Sequence, residues 1–513
     1  MYLCNRLRIS STFAAASRNG YIIMLFNSFQ FALFLPVVFL LYWFVFDYAL
    51  RGCRHQLKWQ NAFVVAASYV FYGWWDWRFL LLIAFTSLCS WWCGLRIQRG
   101  RVQATSKDRK SKAWLILNVV INLLILAVFK YYDFFVNEFC RLFHLSSEGL
   151  LIKVILPVGI SFYTFQALSY TIDVYRGKME PTRDIVAFFA FIGFFPQLVA
   201  GPIERATNLL PQFLQKREFS YEQAADGMRQ ILWGLFKKIV VADTCAIYVD
   251  QVFSTYSTQT GSALVIAAVL FTFQIYGDFS GYSDIAIGTA KLFGVRLMRN
   301  FNNPYFSRDI AEFWRRWHIS LTTWFRDYVY IPMGGSRVGT AKIIRNTFVI
   351  FLLSGLWHGA NWTFIVWGAY HALLFLPLIL LRKNRVHTNQ VAEGRLLPTW
   401  KEALQMFVTF AFAVVGWVLF RSETITQSWE YLRGMAQWDS FRACYLFFTQ
   451  KEVCTTAWLC ILMLIVEWLQ RDKQHGLEMN IPQWYVRYPI YLALMAAIIY
   501  FYGDAVTFIY FQF

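Results

Sequence analysis

The chain has 513 residues, of which 58% are apolar and 20% aromatic, while only 15% are charged, against roughly 25% in an ordinary soluble domain. The apolar residues gather into runs of membrane-spanning length, each near the roughly 20 residues needed to cross the hydrocarbon core. This excludes a soluble, disordered, fibrous or disulfide-scaffold protein. Lys and Arg outnumber Asp and Glu by 48 to 30, for a net charge of +18. The excess lies in short loops between apolar runs, where it serves orientation and contact with anionic lipid rather than nucleic acid. The nine cysteines are scattered, and Cys89 and Cys93 have no second pair nearby to complete a zinc site.

Residues 1–23 carry Arg6, Arg8 and Arg18 with no acid, and lack a clear apolar stretch and small-residue cleavage site. They read as an upstream extension, with the working protein starting near Met24. Apolar runs follow at 31–49, 61–75, 79–95, 113–129, 150–172, 228–249, 262–287, 343–358, 361–381, 403–420, 454–469 and 488–503. The stretch 186–202 is apolar but interrupted by Pro196 and Gly201-Pro202, and predicts a re-entrant hairpin. The fold class is therefore all-α: a polytopic membrane protein of about 11–12 spans with re-entrant and interfacial helices. Residues 51–60 hold three basic residues and no acid, 96–112 seven against one, and 289–345 ten against three. Placing these loops in the cytoplasm leaves an even number of crossings between them and the start outside.

Loop 289–345 is also aromatic, with Phe301, Tyr305, Phe306, Phe313, Trp314, Trp317, Trp324 and Phe325. This mixture predicts amphipathic helices lying in the interface as a cytoplasmic roof, rings down and cations toward headgroups. Within it, Glu312 to His318 read as a helix puts Trp314 and His318 one turn apart, with Arg315 beside the histidine. Arg315 and Arg316 could then bind the phosphates of a nucleotide-bearing donor.

His358 lies in Ser354-Gly-Leu-Trp-His-Gly-Ala-Asn-Trp362, inside the apolar hairpin 346–380. An ionisable side chain at membrane depth is a functional hypothesis by default, and an imidazole suits proton removal. Gly355 and Gly359 on either side would admit a substrate or another backbone. The bland alternative is a neutral core histidine bonded across helices. His371 reads as packing, and His55, His144, His387 and His475 as loop residues without a role. Asp278 and Asp284, inside run 262–287, must be paired or watered. They would line a polar passage or pair with loop arginines, while Glu204 and Arg205 would anchor the re-entrant turn. The phosphate-loop, HExxH, Gly-x-Ser-x-Gly and dinucleotide motifs are missing from the sequence.

Several long segments carry a resemblance: MLFNSFQFALFLP (24–36), LPVGISFYTFQALSYTIDVYRG (156–177), FFPQLVAGPIER (194–205), NFNNPYFSRDIAEFWRRWHISLTTWFRDYVYIPMGG (300–335), GLWHGANWTFIVWGAYH (355–371) and FIYFQF (508–513). From Met24 to the C-terminus the chain resembles a membrane-bound O-acyltransferase of the bacterial branch that acetylates polysaccharides, and residues 24–513 are expected to form one such domain. The resemblance implies His358 as the buried catalytic histidine and His318 as the second family histidine, on the cytoplasmic face. Trp314, Arg315, Arg316, Trp317, Trp357, Asn361, Asp278 and Asp284 are the accompanying candidates for the donor path. It further implies a cytoplasmic thioester donor such as acetyl-CoA, with no tightly bound cofactor or metal, and a bacterial inner-membrane location. Periplasmic acetyltransferase-type partners and a polysaccharide acceptor such as alginate would complete the system. His358 would act as a general base or carry the acyl group itself, and the sequence does not separate these. Peptidoglycan or cellulose acetylation and teichoic-acid D-alanylation are alternatives within the family; a proton-coupled transporter and an assembly scaffold are rivals from other classes.

Overall fold

The computed structural model describes residues 24–103, 109–152, 155–199, 201–437, 451–479, 481–503 and Ile509. The expectations placed on residues 1–23, on Lys107 and Asp108 of the basic loop, and on the closing FIYFQF apart from Ile509 lie outside the described residues. Among the described residues all regular structure is helical. Eight helical segments are long and apolar enough to cross a membrane: Phe29–Ala49, Arg78–Gly100, Arg109–Leu142, Gly261–Leu292, Trp362–Leu380, Trp400–Arg421, Lys451–Leu469 and Trp484–Phe501. The protein is an all-α, multi-pass membrane protein.

The four other apolar runs of the sequence also fall on helix. They are Gln56–Gly73, Ile160–Arg176, the continuous stretch from Tyr221 to Ser254, and Thr340–His358. They fall short of the eight in length or in hydropathy. Ile160–Arg176 is buried along nearly its whole length, so its Gln166, Ser169, Thr171 and Asp173 need no contact with hydrocarbon. Burial grades the bundle from centre to rim. In Gly261–Leu292, 83% of the apolar window is inside protein, whereas in Trp484–Phe501 the figure is 0%. The first is the central post, and the second lies at the rim, packed on the core only through one partly exposed side that includes Tyr491, Leu494 and Ile498.

Glycine sets the tightest crossing at that post. Gly227 and Gly234 on Tyr221–Leu235 meet Gly288 and Gly281 on Gly261–Leu292. A Cβ built at Gly281 would stand 2.8 Å from the Gly234 carbonyl oxygen, and one at Gly234 would stand 2.6 Å from the Gly281 carbonyl oxygen. Close backbone approach through small residues is how helices associate where lipid removes the hydrophobic drive.

Residues 186–202 form two short buried helices, Ile185–Gly193 and Phe195–Leu198, broken at Phe194. Glu204 then accepts hydrogen bonds from the Met298 amide and, at 2.7 Å, from Asn208. Arg205 reaches Asp327 at 3.4 Å, so both residues tie this turn to the segment after the central post. Burial pushes the Glu204 carboxyl up to about 7, against the lowering effect of those hydrogen bonds and of Arg205.

Segment 289–345 departs from its expected form. Its short helices, Ile310–Arg316 and Ile319–Phe325, are not amphipathic elements with rings on a bilayer surface. Phe301, Tyr305, Phe313, Trp314, Trp317, Trp324 and Phe325 are all buried in the protein core. The aromatic content that suggested an interfacial edge is core packing: Trp324 stacks on Phe165 with ring centroids 3.9 Å apart, and Trp317 lies 4.7 Å from Trp417.

Candidate active site

His358 is the last residue of helix Thr340–His358, and the chain turns directly into Trp362–Leu380. A Cβ at Gly355 would collide with the Phe364 carbonyl and one at Gly359 with the Phe364 ring, so both glycines serve the close approach of the partner helix. The imidazole is 4% exposed and enclosed by the rings of Trp357, Trp367 and Phe420, with centroids 4.9, 5.2 and 5.2 Å away. One side remains open onto a cavity shared with Lys130, Trp357 and the stretch from Leu156 to Phe162.

His318 is not one helical turn beyond Trp314. The helix stops at Arg316, and His318 takes a left-handed conformation (φ 44°, ψ 54°) that starts the next helix at Ile319. The break turns the imidazole inward, where it is 1% exposed. Its Nδ1 lies 3.1 Å from Asn300 Oδ1. Asn300 donates its own amide to Ser283 Oγ at 3.2 Å and accepts from the Ser320 hydroxyl at 2.9 Å. In this arrangement Asn300 receives the Nδ1 proton and leaves the unpartnered Nε2 as a bare lone pair. Burial pushes the imidazole down to about 3, so it is neutral at physiological pH.

The two histidines meet through one ring. Trp357 lies 4.9 Å from His358 and 5.8 Å from His318 by ring centroids. On the far side of His318, Asn300 and Phe301 line a second, polar cavity with Lys237, Tyr276, Asp284, Arg299, Glu467 and His475. His318 thus touches Asn300 and Phe301, which line the polar cavity, and Trp357, which lines the cavity that holds His358.

The other residues singled out from sequence divide sharply. Trp314 packs on Trp367 and His371, at 5.5 and 4.9 Å, which places His371 behind the wall of the His358 site. Trp317 is buried against Phe301 and Trp417. Arg316 is not open to a donor phosphate: its Nη2 donates to Glu312 at 2.9 Å, as does Arg308 at 3.0 Å. Burial raises the Glu312 carboxyl, but the hydrogen bonds and charges of Arg308 and Arg316 outweigh it and hold the group below its ordinary value. Arg315 donates to the carbonyls of Asn384 and His387, at 2.9 and 2.6 Å. Arg316 also donates to the Asn389 carbonyl at 3.4 Å, so both arginines pin the segment after residue 380 to this region of the core. Asn361 caps helix Trp362–Leu380, accepting from the Thr363 amide at 3.1 Å, and lies outside the His358 cavity.

Among the described residues the ion-pair partners of Asp278 and Asp284 are not loop arginines, although Arg299 interacts with Asp284 through charge in the polar cavity. Their partners are two buried lysines on the adjacent helix: Lys238 lies 2.7 Å from Asp278, and Lys237 2.5 Å from Asp284. Lys238 also reaches Asp243 at 2.7 Å. Asp278 additionally accepts the Ile509 amide at 2.7 Å, which ties Ile509 to the post. The lysines sit in the π-helical stretch Phe236–Ala242. Two cations inside an apolar run were the signal that could have found them. His475 is also more than a loop residue. It is buried and accepts the Leu477 amide on Nδ1, so Nε2–H faces Asp226 at 3.2 Å. Asn300 had no comparable signal, since its partner lies 18 residues away across a helix.

Among the described residues no group of three His, Cys, Asp or Glu is placed to hold a metal ion. The arrangement can supply a buried imidazole, a second neutral imidazole with a fixed tautomer, and two cavities, one lined by His358 and the other by Asn300, the partner of His318.

The MBOAT, membrane-bound O-acyltransferase family matches residues 181–420, a stretch that contains both histidines. The chain is 42% identical over 424 residues to the probable alginate O-acetylase AlgI of Pseudomonas aeruginosa, covering 82% of this chain and 76% of that protein. It is 32% identical over 536 residues to the peptidoglycan O-acetyltransferase of Helicobacter pylori, covering 96% and 98%. It is 27% identical over 278 residues to the teichoic acid D-alanyltransferase of Bacillus subtilis, covering 51% and 68%. The chain belongs to the membrane-bound O-acyltransferase family and is an O-acyltransferase.

Proposed function

We propose that the protein moves acetyl groups from a cytoplasmic thioester, acetyl-CoA, to the hydroxyls of an extracytoplasmic polysaccharide at the bacterial inner membrane, with His358 as general base. The observation that carries this reading is the pair of histidines joined through Trp357, His318 bonded to Asn300 of the polar cavity and His358 lining the cavity it shares with Lys130. The donor enters through the polar cavity and brings its thioester carbonyl toward Trp357. An acceptor hydroxyl reaches His358 from the other cavity and gives its proton to the imidazole. The hydroxyl oxygen attacks the thioester carbonyl, the carbon–sulfur bond breaks, and the leaving thiolate recovers the proton. Such a base is typically worth about 10²–10⁴-fold. His318, neutral and with Nδ1 bonded to Asn300, offers Nε2 beside the same passage. Among the described residues no sizeable domain stands outside the membrane bundle to grip a polymer, so partner proteins take the acetyl group onward.

Among polymers, the relatives named for alginate favour an exopolysaccharide. Peptidoglycan is the second reading, favoured by the nearly end-to-end match with the Helicobacter pylori protein. Alkali-labile acetate on both polymers, in wild type, deletion and deletion complemented with His358→Ala, tests the reading. Acetate should vanish from one polymer in both the deletion and the variant. Acetate unchanged in every strain overturns it.

A further inference from the structure

Helix Thr340–His358 ends abruptly, because Gly359 is extended (φ −171°) and the chain does not fold back to bond the last turn. The final carbonyls of a helix have no partner within it and must find one elsewhere. Here three consecutive ones are taken by a single foreign segment. Tyr131 Oη donates to the Leu356 carbonyl at 2.8 Å. Lys130 Nζ donates to the Trp357 carbonyl at 2.6 Å and to the His358 carbonyl at 3.0 Å. Both residues sit in the π-helical turn Ala127–Tyr131, a widened turn of the kind that recurs at functional sites. A cation at a helix C-terminus also meets the negative end of the helix dipole. Lys130 lines the same cavity as His358 and lies 5.7 Å from the Trp357 ring.

A helix can be capped anywhere by glycine and water. A lysine drawn into a membrane bundle to hold the backbone of one histidine is a costlier arrangement, and its direct result is a fixed position for that histidine. We propose that Lys130, supported by Tyr131, is a positioning residue for acyl transfer, holding the backbone of His358 so that its imidazole faces the cavity in a reactive orientation. This rests on the reading that His358 is the base. A misplacement of about 1 Å at a reacting group costs about 10²-fold in rate.

The test measures the rate of alkali-labile acetate incorporation into polymer, per folded chain in the membrane, with folded chain counted by fluorescence-detected gel filtration. Lys130→Met should lose about 10²-fold per folded chain. Lys130→Arg, which keeps a cationic donor, should recover to within about tenfold of wild type, and Tyr131→Phe should lose about fivefold. Lys130→Met with a wild-type rate per folded chain, or a Lys130→Arg no better than Lys130→Met, overturns the proposal. If Lys130→Met does not fold, Tyr131→Phe decides, and an unchanged rate there overturns it. His358→Ala is run alongside. Full activity in His358→Ala refutes the reading of His358 as base, whereas an inactive His358→Ala beside a fully active Lys130→Met refutes the positioning role alone.

Discussion

A methyl group placed at two different glycines separates backbone crowding from side-chain crowding. At Gly281 the added Cβ would lie 2.8 Å from the Gly234 carbonyl oxygen, with the Lys238 amide at 3.1 Å behind it. At Gly73 the added Cβ would lie at the same 2.8 Å, but from Leu80 Cδ1, the tip of a rotatable side chain. Comfortable contact needs about 3.5 Å, so Gly281→Ala must push a pair of helix backbones apart by roughly 0.7 Å, whereas at Gly73 a rotamer change suffices. Overpacking costs about 1–3 kcal/mol, offset by a helix-propensity gain of about 1 kcal/mol for Gly→Ala. The net is a loss of up to about 2 kcal/mol for Gly281→Ala and a change near zero or slightly favourable for Gly73→Ala. Spreading the helices also strains the Lys238–Asp278 pair one turn away, which adds to the first figure. Thermal midpoints of the detergent-solubilised full chain, read by fluorescence-detected gel filtration, should fall by several degrees for Gly281→Ala only, at about 2–4 °C per kcal/mol. Equal midpoints for the two variants would show that the crossing yields easily, and would refute the reasoning.

Further outcomes follow from the same geometry. Lys237→Met alone leaves the partly exposed Asp284 without its 2.5 Å partner and should cost about 1–3 kcal/mol; the double variant Lys237→Met/Asp284→Leu should cost less, as a double-mutant cycle on thermal midpoints would show. Asn300→Ala strips His318 Nδ1 and the Ser320 hydroxyl of their acceptor and should lower acetyl transfer about tenfold to a hundredfold at matched protein level. The Glu204 carboxyl, pushed up to about 7 by burial, sits above its ordinary value. Its contribution to stability is therefore full below about pH 4.5 and lost as pH rises through about 7. Thermal midpoints from pH 5.5 to 8.5 should fall less steeply in Glu204→Gln than in wild type. Gly355→Ala, whose methyl would collide with the Phe364 carbonyl, should lose acetyl transfer, while Leu353→Ala on the exposed side of the same helix should keep it.

The sequence made the helices legible because membrane-facing surfaces must be continuously apolar, and each of the twelve apolar runs contains a helix, although in 150–172 it begins only at Ile160. His358 was legible for the same reason in reverse: a polar side chain in such a run stands out, and Gly355 beside it marks the close backbone approach that the Phe364 carbonyl makes. Partners between helices were not legible. Asn300 meets His318, and Lys237 meets Asp284, through the packing of separate elements, and no local spacing encodes either pair. The aromatic segment 289–345 misled because rings that suit an interface also suit a crowded core. The left-handed turn at His318 was hidden because positive φ is uncommon at any non-glycine residue, even at histidine, where it is enriched. Arg315 and Arg316 were read as donor ligands because their bonds to the Asn384 and His387 carbonyls and to Glu312 depend on how the chain folds back.

The central claim is that His358 passes an acetyl group from a thioester on one side of the membrane to a hydroxyl on the other. Inside-out membrane vesicles carrying the full chain, its native partners and its polymer, given acetyl-CoA labelled in the acetyl group on the exposed cytoplasmic face, test it most directly. Labelled alkali-labile ester should accumulate inside vesicles with the wild-type protein and stay at background with His358→Ala at equal folded abundance. Label reaching the interior polymer at the wild-type rate in the variant would contradict the account.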